Sequence, residues 1–210
     1  MKNDYISEIH EKDKLVLHPY EDLKDRGTYN RKLIVKSDNI YLYDENGKRY
    51  IDGPGGMWCN NIGHGNKEIA EAIKNQIETM DYCSPFSESS EKAAELASVL
   101  SELSPGDLNT VFFTPDGSSA NETALRFMML YNNILGRPEK KHIISRDQAY
   151  HGSTYLTASI TGKDREKNNF DFESTFIHHV GSPNPYRRKD NQTVDDFCDE
   201  KVKEFERDYI

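Results

Sequence analysis

Val111-Phe112-Phe113-Thr114-Pro115-Asp116-Gly117-Ser118-Ser119-Ala120-Asn121-Glu122 is the stretch on which the fold turns. It opens into Ala124-Leu125-Arg126-Phe127-Met128-Met129-Leu130. An apolar triplet, a turn containing Pro and Gly, and a helical apolar pattern predict a buried strand, a tight turn and a long amphipathic helix. Ser119 and Glu122 have capping-box spacing, which predicts that the helix starts there. A helix start presents free backbone N–H groups at the positive end of the helix dipole. Such a place holds a phosphate without any basic side chain. A Gly-Ser turn in this position also serves simply as a cap. The first expectation is a phosphate-bearing ligand at a strand-to-helix turn of an α/β sheet.

Working outward, Lys141-His142-Ile143-Ile144-Ser145-Arg146 reads as a second strand. It runs into Asp147-Gln148-Ala149-Tyr150-His151-Gly152-Ser153-Thr154, again a loop leading to a helix. In a doubly wound sheet, ligands bind beyond the carboxyl ends of the strands. A phosphate cradle at Gly117 and Ser118 and an aromatic ring at Tyr150 suit a flat, phosphorylated, aromatic cofactor, with Tyr150 stacking on its ring.

These two motifs resemble the class III (omega-) aminotransferases, pyridoxal-phosphate enzymes of fold type I. Other segments carry the same resemblance. Met57-Trp58-Cys59-Asn60-Asn61-Ile62-Gly63-His64-Gly65 is similar to the family's Trp-Cys-x-Asn-x-Gly-x-Gly segment, and Pro105-Gly106-Asp107-Leu108-Asn109 is similar to the lead-in to its phosphate turn. Tyr150-His151-Gly152-Ser153-Thr154 matches its cofactor-stacking loop. The resemblance implies an α/β fold: the N-terminal half of a large domain with a mostly parallel sheet and flanking helices, preceded by a small antiparallel meander. It implies pyridoxal 5'-phosphate held by Gly117 and Ser118, with Tyr150 on the ring and His151 positioning that loop. Trp58 would line the substrate pocket. A buried aromatic plug is the other reading of Trp58. Tyr82 and Phe86 fall where the family has pocket aromatics, with plain packing as the alternative.

The family's reaction passes an amino group from a primary amine, such as an omega-amino acid, through the cofactor to a keto acid such as pyruvate or 2-oxoglutarate. The lysine that forms a Schiff base with the cofactor, and the carboxylate that pairs with its pyridine nitrogen, lie in the second half of the large domain in family members. The lysines of this chain stand mostly in charged surroundings, such as Lys140-Lys141 and Lys163 to Lys167, and none reads as a Schiff-base lysine. The expectation is part of a homodimeric enzyme, inactive by itself. Residues 1–60 would contribute to the small domain and residues 61–210 would begin the large one. Aminomutases and racemases share these motifs, and a non-catalytic fragment is the remaining alternative. Two departures stand out. Asp116 replaces the usual serine, and its carboxylate would repel a phosphate unless it turns back to cap the helix. Ser119 replaces a common Glu, a loss that Glu122 could make good.

The rest of the sequence agrees with a cytoplasmic globular protein. Hydrophobic residues make up 35% of the chain and the mean hydropathy is −0.84, polar for a buried parallel sheet. No apolar run is long enough to span a membrane, and no signal-peptide pattern is visible at the start. A net charge of −9 argues against a nucleic-acid surface. Cys59, Cys83 and Cys198 are scattered and odd in number, which favours reduced thiols. His178 and His179, adjacent on an expected strand over Thr175–Val180, point to opposite faces and cannot easily share a metal. Arg187 and Arg188 could clamp a carboxylate but sit in a polar, Pro-rich loop. Leu33 to Ile51 predicts an antiparallel meander with a hairpin turn at Asn46-Gly47. Helical stripes follow at Ile69, Ile73, Ile77 and Met80, at Ala93 to Leu103, at Ala120 to Ile134, and at Val194, Cys198, Val202, Phe205 and Tyr209.

Overall fold

The computed structural model describes residues 2–164 and 167–209. The chain divides into two compact units, Met1–Ala94 and Glu95–Ile210.

The first unit opens with helix α1 (Lys2–Asp13) and continues into the antiparallel meander β1 (Ile34–Asp38), β2 (Tyr41–Asp44) and β3 (Arg49–Ile51). Tyr41 pairs with Asp38 on one side and Ile51 on the other. Asp44 fixes the predicted turn at Asn46-Gly47. Its Oδ1 accepts from the backbone N–H of Asn46 and Lys48, both at 2.9 Å, and its Oδ2 accepts from the Tyr50 hydroxyl at 2.9 Å. A four-residue turn, α2 (Gly55–Trp58), precedes α3 (Lys67–Thr79). Asn66 caps α3 by accepting from the Ile69 N–H at 3.1 Å. The predicted stripe on α3 is present, but Ile69, Ile73 and Ile77 are exposed. The division between the units falls in the first turn of α4 (Glu91–Leu103).

The second unit contains α5 (Gly117–Ile134), β4 (Ile143–Arg146), α6 (Tyr155–Ile160), β5 (Ile177–Val180), a 3-10 turn over Pro185–Arg187 and α7 (Val194–Tyr209). β4 and β5 pair in parallel, Ile143 with Ile177 through Arg146 with Val180. Among the described residues the buried apolar side chains are Ile160, Ile177 and Phe197, all in this unit. Ser145, Thr157, Ser159 and Thr161 are buried beside them. Ser145 satisfies its hydroxyl by donating to the Ile160 carbonyl at 2.7 Å, which ties β4 to the end of α6. A small antiparallel sheet followed by a parallel sheet with helices is the expected α/β class.

Two expectations are corrected. Val111-Phe112-Phe113 forms no strand, and Phe112 and Phe113 are 67% and 46% exposed. The triplet has the composition of a buried strand but no paired neighbour. On α7 the side chain that reaches the core is Phe197, while Val202 on the predicted stripe is 56% exposed.

Candidate functional site

α5 begins two residues before the predicted capping box. Its N-cap is Asp116, in an extended conformation. Asp116 Oδ1 accepts from the Ser119 N–H at 2.8 Å, and Oδ2 accepts from the Ser119 hydroxyl at 2.9 Å. These bonds hold the Asp116 carboxyl below the usual 3.8. The carboxylate therefore turns back onto the helix, one of the two outcomes expected for it. It performs the capping expected of Ser119 and Glu122, because an aspartate at the N-cap has the right reach for the N–H three residues on. Ahead of it, a Cβ placed on Gly117 would meet no atom within 4 Å. The Cβ side of Gly117 is thus open at the start of an 18-residue helix, the positive end of its dipole.

The loop carrying Tyr150 is tied directly to that helix end. Ser153 N–H donates to Ser118 Oγ at 3.1 Å. Asn121 Nδ2 donates to the His151 carbonyl at 2.8 Å. Thr154 Oγ1 donates to Glu122 Oε2 at 2.6 Å. Since Ser118 Oγ accepts from a backbone N–H, its own hydroxyl proton remains available to donate elsewhere. Glu122 is thereby engaged in a tertiary contact, not in the local cap assigned to it from the sequence.

Behind the loop lies a layer of hydroxyls. Thr157, with no exposed surface, accepts from the Thr154 N–H at 3.1 Å and lies 2.6 Å from Thr154 Oγ1. Thr161 Oγ1 accepts from the His151 N–H at 3.0 Å and lies 3.1 Å from the Gly152 carbonyl. Gly152 sits between these groups with φ of 139°, where a Cβ would collide with the Thr157 side chain and with Ser118 Oγ. Only glycine fits that conformation and that approach. Sequence reasoning missed Asn121, Thr154, Thr157 and Thr161, and gave Glu122 a capping role in place of its contact with Thr154. The one available signal was the density of hydroxyls at Ser153, Thr154, Thr157, Ser159 and Thr161 in a short segment.

Gly117, Ser118, Tyr150 and His151 are therefore brought into one structure by this unit. Tyr150 is half exposed, with Lys163 Nζ 5.1 Å from its ring centroid. Burial, with the charges of Arg146 and His179, pushes His151 below its ordinary value and keeps its imidazole neutral near neutral pH. Lys167 departs from the charged-surface reading. It is partly buried, lies 3.2 Å from the Ser159 carbonyl and 3.1 Å from His179 Nε2, and burial lowers its pKa. His178 and His179 do diverge as alternation requires. His178 meets His142 at 2.8 Å, while His179 meets Lys167 and Ser159.

The three expected substrate residues belong to the other unit. Trp58 is 75%, Tyr82 73% and Phe86 98% exposed, so within this chain none is a buried plug or a packing residue. Trp58 ends an unusual turn. Gly55, Gly56, Met57 and Trp58 all have positive φ, from 55° to 69°, so the backbone makes one left-handed turn. Trp58 N–H donates to the Pro54 carbonyl and Asn60 N–H to the Gly55 carbonyl, each at 2.9 Å. Asp52 anchors the turn, accepting from Gly56 N–H at 3.2 Å and from His64 Nε2 at 2.9 Å.

A family model described as aminotransferase class-III matches residues 24–209. The chain belongs to the class III aminotransferase family. Among curated class III relatives, it is 36% identical over 182 residues to a diaminobutyrate–2-oxoglutarate transaminase of Halomonas elongata, an alignment covering 85% of this chain and 39% of that protein. Among solved structures, the omega transaminase of Pseudomonas jessenii in complex with PMP superposes with a TM-score of 0.91 and 35% identity, covering 95% of this chain and 45% of that one. A thermostable omega transaminase variant with a tryptophan replaced by glycine, engineered for asymmetric synthesis of enantiopure bulky amines, aligns with the same TM-score, identity and coverage. The chain thus spans less than half the length of these class III proteins. Its fold is that of the pyridoxal-phosphate fold type I transaminases, and pyridoxal phosphate is the cofactor that the family implies. The open helix start at Gly117, the donating hydroxyl of Ser118 and the half-exposed Tyr150 fit a phosphorylated aromatic ring.

Proposed function

We propose that this chain carries the phosphate- and ring-binding part of a pyridoxal-phosphate transaminase. The enzyme would pass an amino group from an omega-amino acid or other primary amine to a keto acid such as pyruvate or 2-oxoglutarate. The observation that carries this reading is the direct hydrogen bonding of the Tyr150 loop to the open N-terminus of α5. When bound, the cofactor supplies a conjugated ring that accepts the electrons left by the departing substrate proton. The chain's own residues bind and orient. Backbone N–H groups of Gly117 and Ser118, with the Ser118 hydroxyl, receive the phosphate. Tyr150 covers the ring, and His151, as a neutral imidazole, holds its loop. Trp58, with Tyr82 and Phe86, shapes the amine pocket. Their exposure supports this, as does the tryptophan replacement in a variant made for bulky amines. Proton transfer and covalent attachment belong to a lysine outside these residues. In this reading residues 1–60 contribute to a small domain and residues 61–210 begin the large one, in a cytoplasmic homodimer.

The test is a pyridoxal-phosphate titration of the full-length protein, followed by amine-donor screening with pyruvate and 2-oxoglutarate. Saturable binding, keto-acid-dependent turnover, and a Ser118→Ala variant with about tenfold weaker binding are expected. Turnover without any keto acid would replace the transaminase by an aminomutase or racemase. Absence of cofactor binding would remove the enzyme reading.

A further inference from the structure

Gly117-Ser118 and the Tyr150 loop are far apart in sequence, and two side chains of α5 join them. Asn121 Nδ2 reaches the carbonyl of His151, 30 residues away, at 2.8 Å. Glu122 Oε2 takes the hydroxyl of Thr154, 32 residues away, at 2.6 Å. A carboxylate only accepts, so the Thr154 hydroxyl is committed to Glu122, and Thr157 keeps its one proton for Thr154 Oγ1 or for the Thr154 carbonyl, 3.3 Å away. The orientation of the Thr154 hydroxyl is therefore set by Glu122. Thr157 in turn accepts from the Thr154 N–H, the N-cap of α6. One acceptor on α5 thus orders the end of the Tyr150 loop and the start of the helix that follows it. Gly152 lies closely against both Ser118 and Thr157 at that point.

We propose that Asn121 and Glu122 are positioning residues for the cofactor: from the first turns of α5 they fix where the Tyr150 loop stands relative to the phosphate-binding turn. This inference rests on the cofactor assignment above. It assigns to the pair no contact with the substrate, the cofactor or the reacting atoms. Their effect runs through Tyr150 and through Ser118, whose Oγ receives the Ser153 N–H only while the loop is held down.

The experiment compares full-length wild type with Glu122→Ala, Glu122→Gln and Asn121→Asp. It measures the pyridoxal-phosphate dissociation constant, circular dichroism in the cofactor absorption band, and hydrogen exchange of the amides over residues 151–154. Gln retains an acceptor for Thr154, whereas Ala removes it and Asp removes the amide donor to His151. The expected result is binding weakened about tenfold or more in Glu122→Ala and Asn121→Asp, the scale of one charge-assisted or tertiary hydrogen bond. The dichroic band should change shape and exchange should quicken at 151–154 in those two variants, with Glu122→Gln near wild type in all three readouts. A merely structural role would lower the melting temperature and leave the dichroic band of the remaining holoenzyme unchanged, and that result overturns the inference. Wild-type-like binding and dichroism in Glu122→Ala would also overturn it while leaving the cofactor assignment intact. Failure of the wild type to bind would overturn both.

Discussion

At the N-terminus of α5, Asp116 caps the helix and keeps its charge. Its carboxylate satisfies the Ser119 N–H and hydroxyl, yet it puts a negative charge beside the place proposed for a phosphate. Asp116→Asn keeps an acceptor for Ser119 and removes the charge. It should tighten pyridoxal-phosphate binding about three- to tenfold, read by titration at low ionic strength, where the charge is least screened. Loss of the cap in Asp116→Ala should instead lower the melting temperature. The sign with pH follows from the depressed carboxyl. Its stabilisation is complete above 3.8 and is lost as pH falls through the lower folded value, so thermal melts of wild type and Asp116→Ala should converge in strong acid. At this scale the sequence was legible where chemistry is local. Gly117, Ser118 and Tyr150 stand out because a turn, a helix start and a loop can each be read from a few neighbours. The partner of Glu122 was not legible, since nothing near Glu122 announces a threonine 32 residues away.

Elements depend on contacts in the same way. The meander and the helices were readable because hairpin turns and 3.6-residue periodicity are written in adjacent residues. Val111 to Phe113 was misread because an apolar triplet expresses only a demand for burial, and a strand needs a partner with which to pair. Phe197 was missed because α7 has apolar residues on more than one side, and periodicity alone does not say which of them is buried. The Tyr150 loop makes a prediction of its own. Gly152→Ala adds a Cβ where the Thr157 side chain and Ser118 Oγ already lie, at a φ that alanine resists. We expect a stability loss of about 1–3 kcal/mol by denaturant unfolding and a marked loss of cofactor binding. In the first unit, the hydrogen bond from His64 and then that from Gly56 lower the Asp52 carboxyl. Its contribution is present above 3.8 and disappears as pH falls through the depressed value. Asp52→Asn should therefore lower the melting temperature near neutral pH and flatten its fall into acid.

Across the whole chain, the apolar surface outweighs the apolar core. Ile160, Ile177 and Phe197 are buried among the described residues, while Phe86, Leu103, Phe112 and Ile134 are 98%, 78%, 67% and 74% exposed. Exposed apolar faces on α3, α4 and α5 are larger commitments than scattered surface residues. Expressed as these 210 residues alone, the protein should bind a hydrophobic dye, self-associate in sedimentation velocity, and show no transamination. A monodisperse, dye-silent monomer would contradict the first two expectations, and turnover would contradict the third. The low mean hydropathy gave no warning of this, because it averages over composition and says nothing about which side each apolar residue faces.

The left-handed turn at Gly55–Trp58 has a consequence for substitution at its last residue. An L-residue in that conformation carries about 1–2 kcal/mol of steric penalty that glycine does not, and Trp58 carries it at φ of 69°. The replacement that removes most side-chain volume at this position is thus also the one the main chain accepts most readily. Trp58→Gly should leave the melting temperature within a few degrees of wild type or above it. In the proposed amine pocket, folding would then offer little resistance to altering selectivity at position 58, a natural starting place for descendants with a different diet of amines.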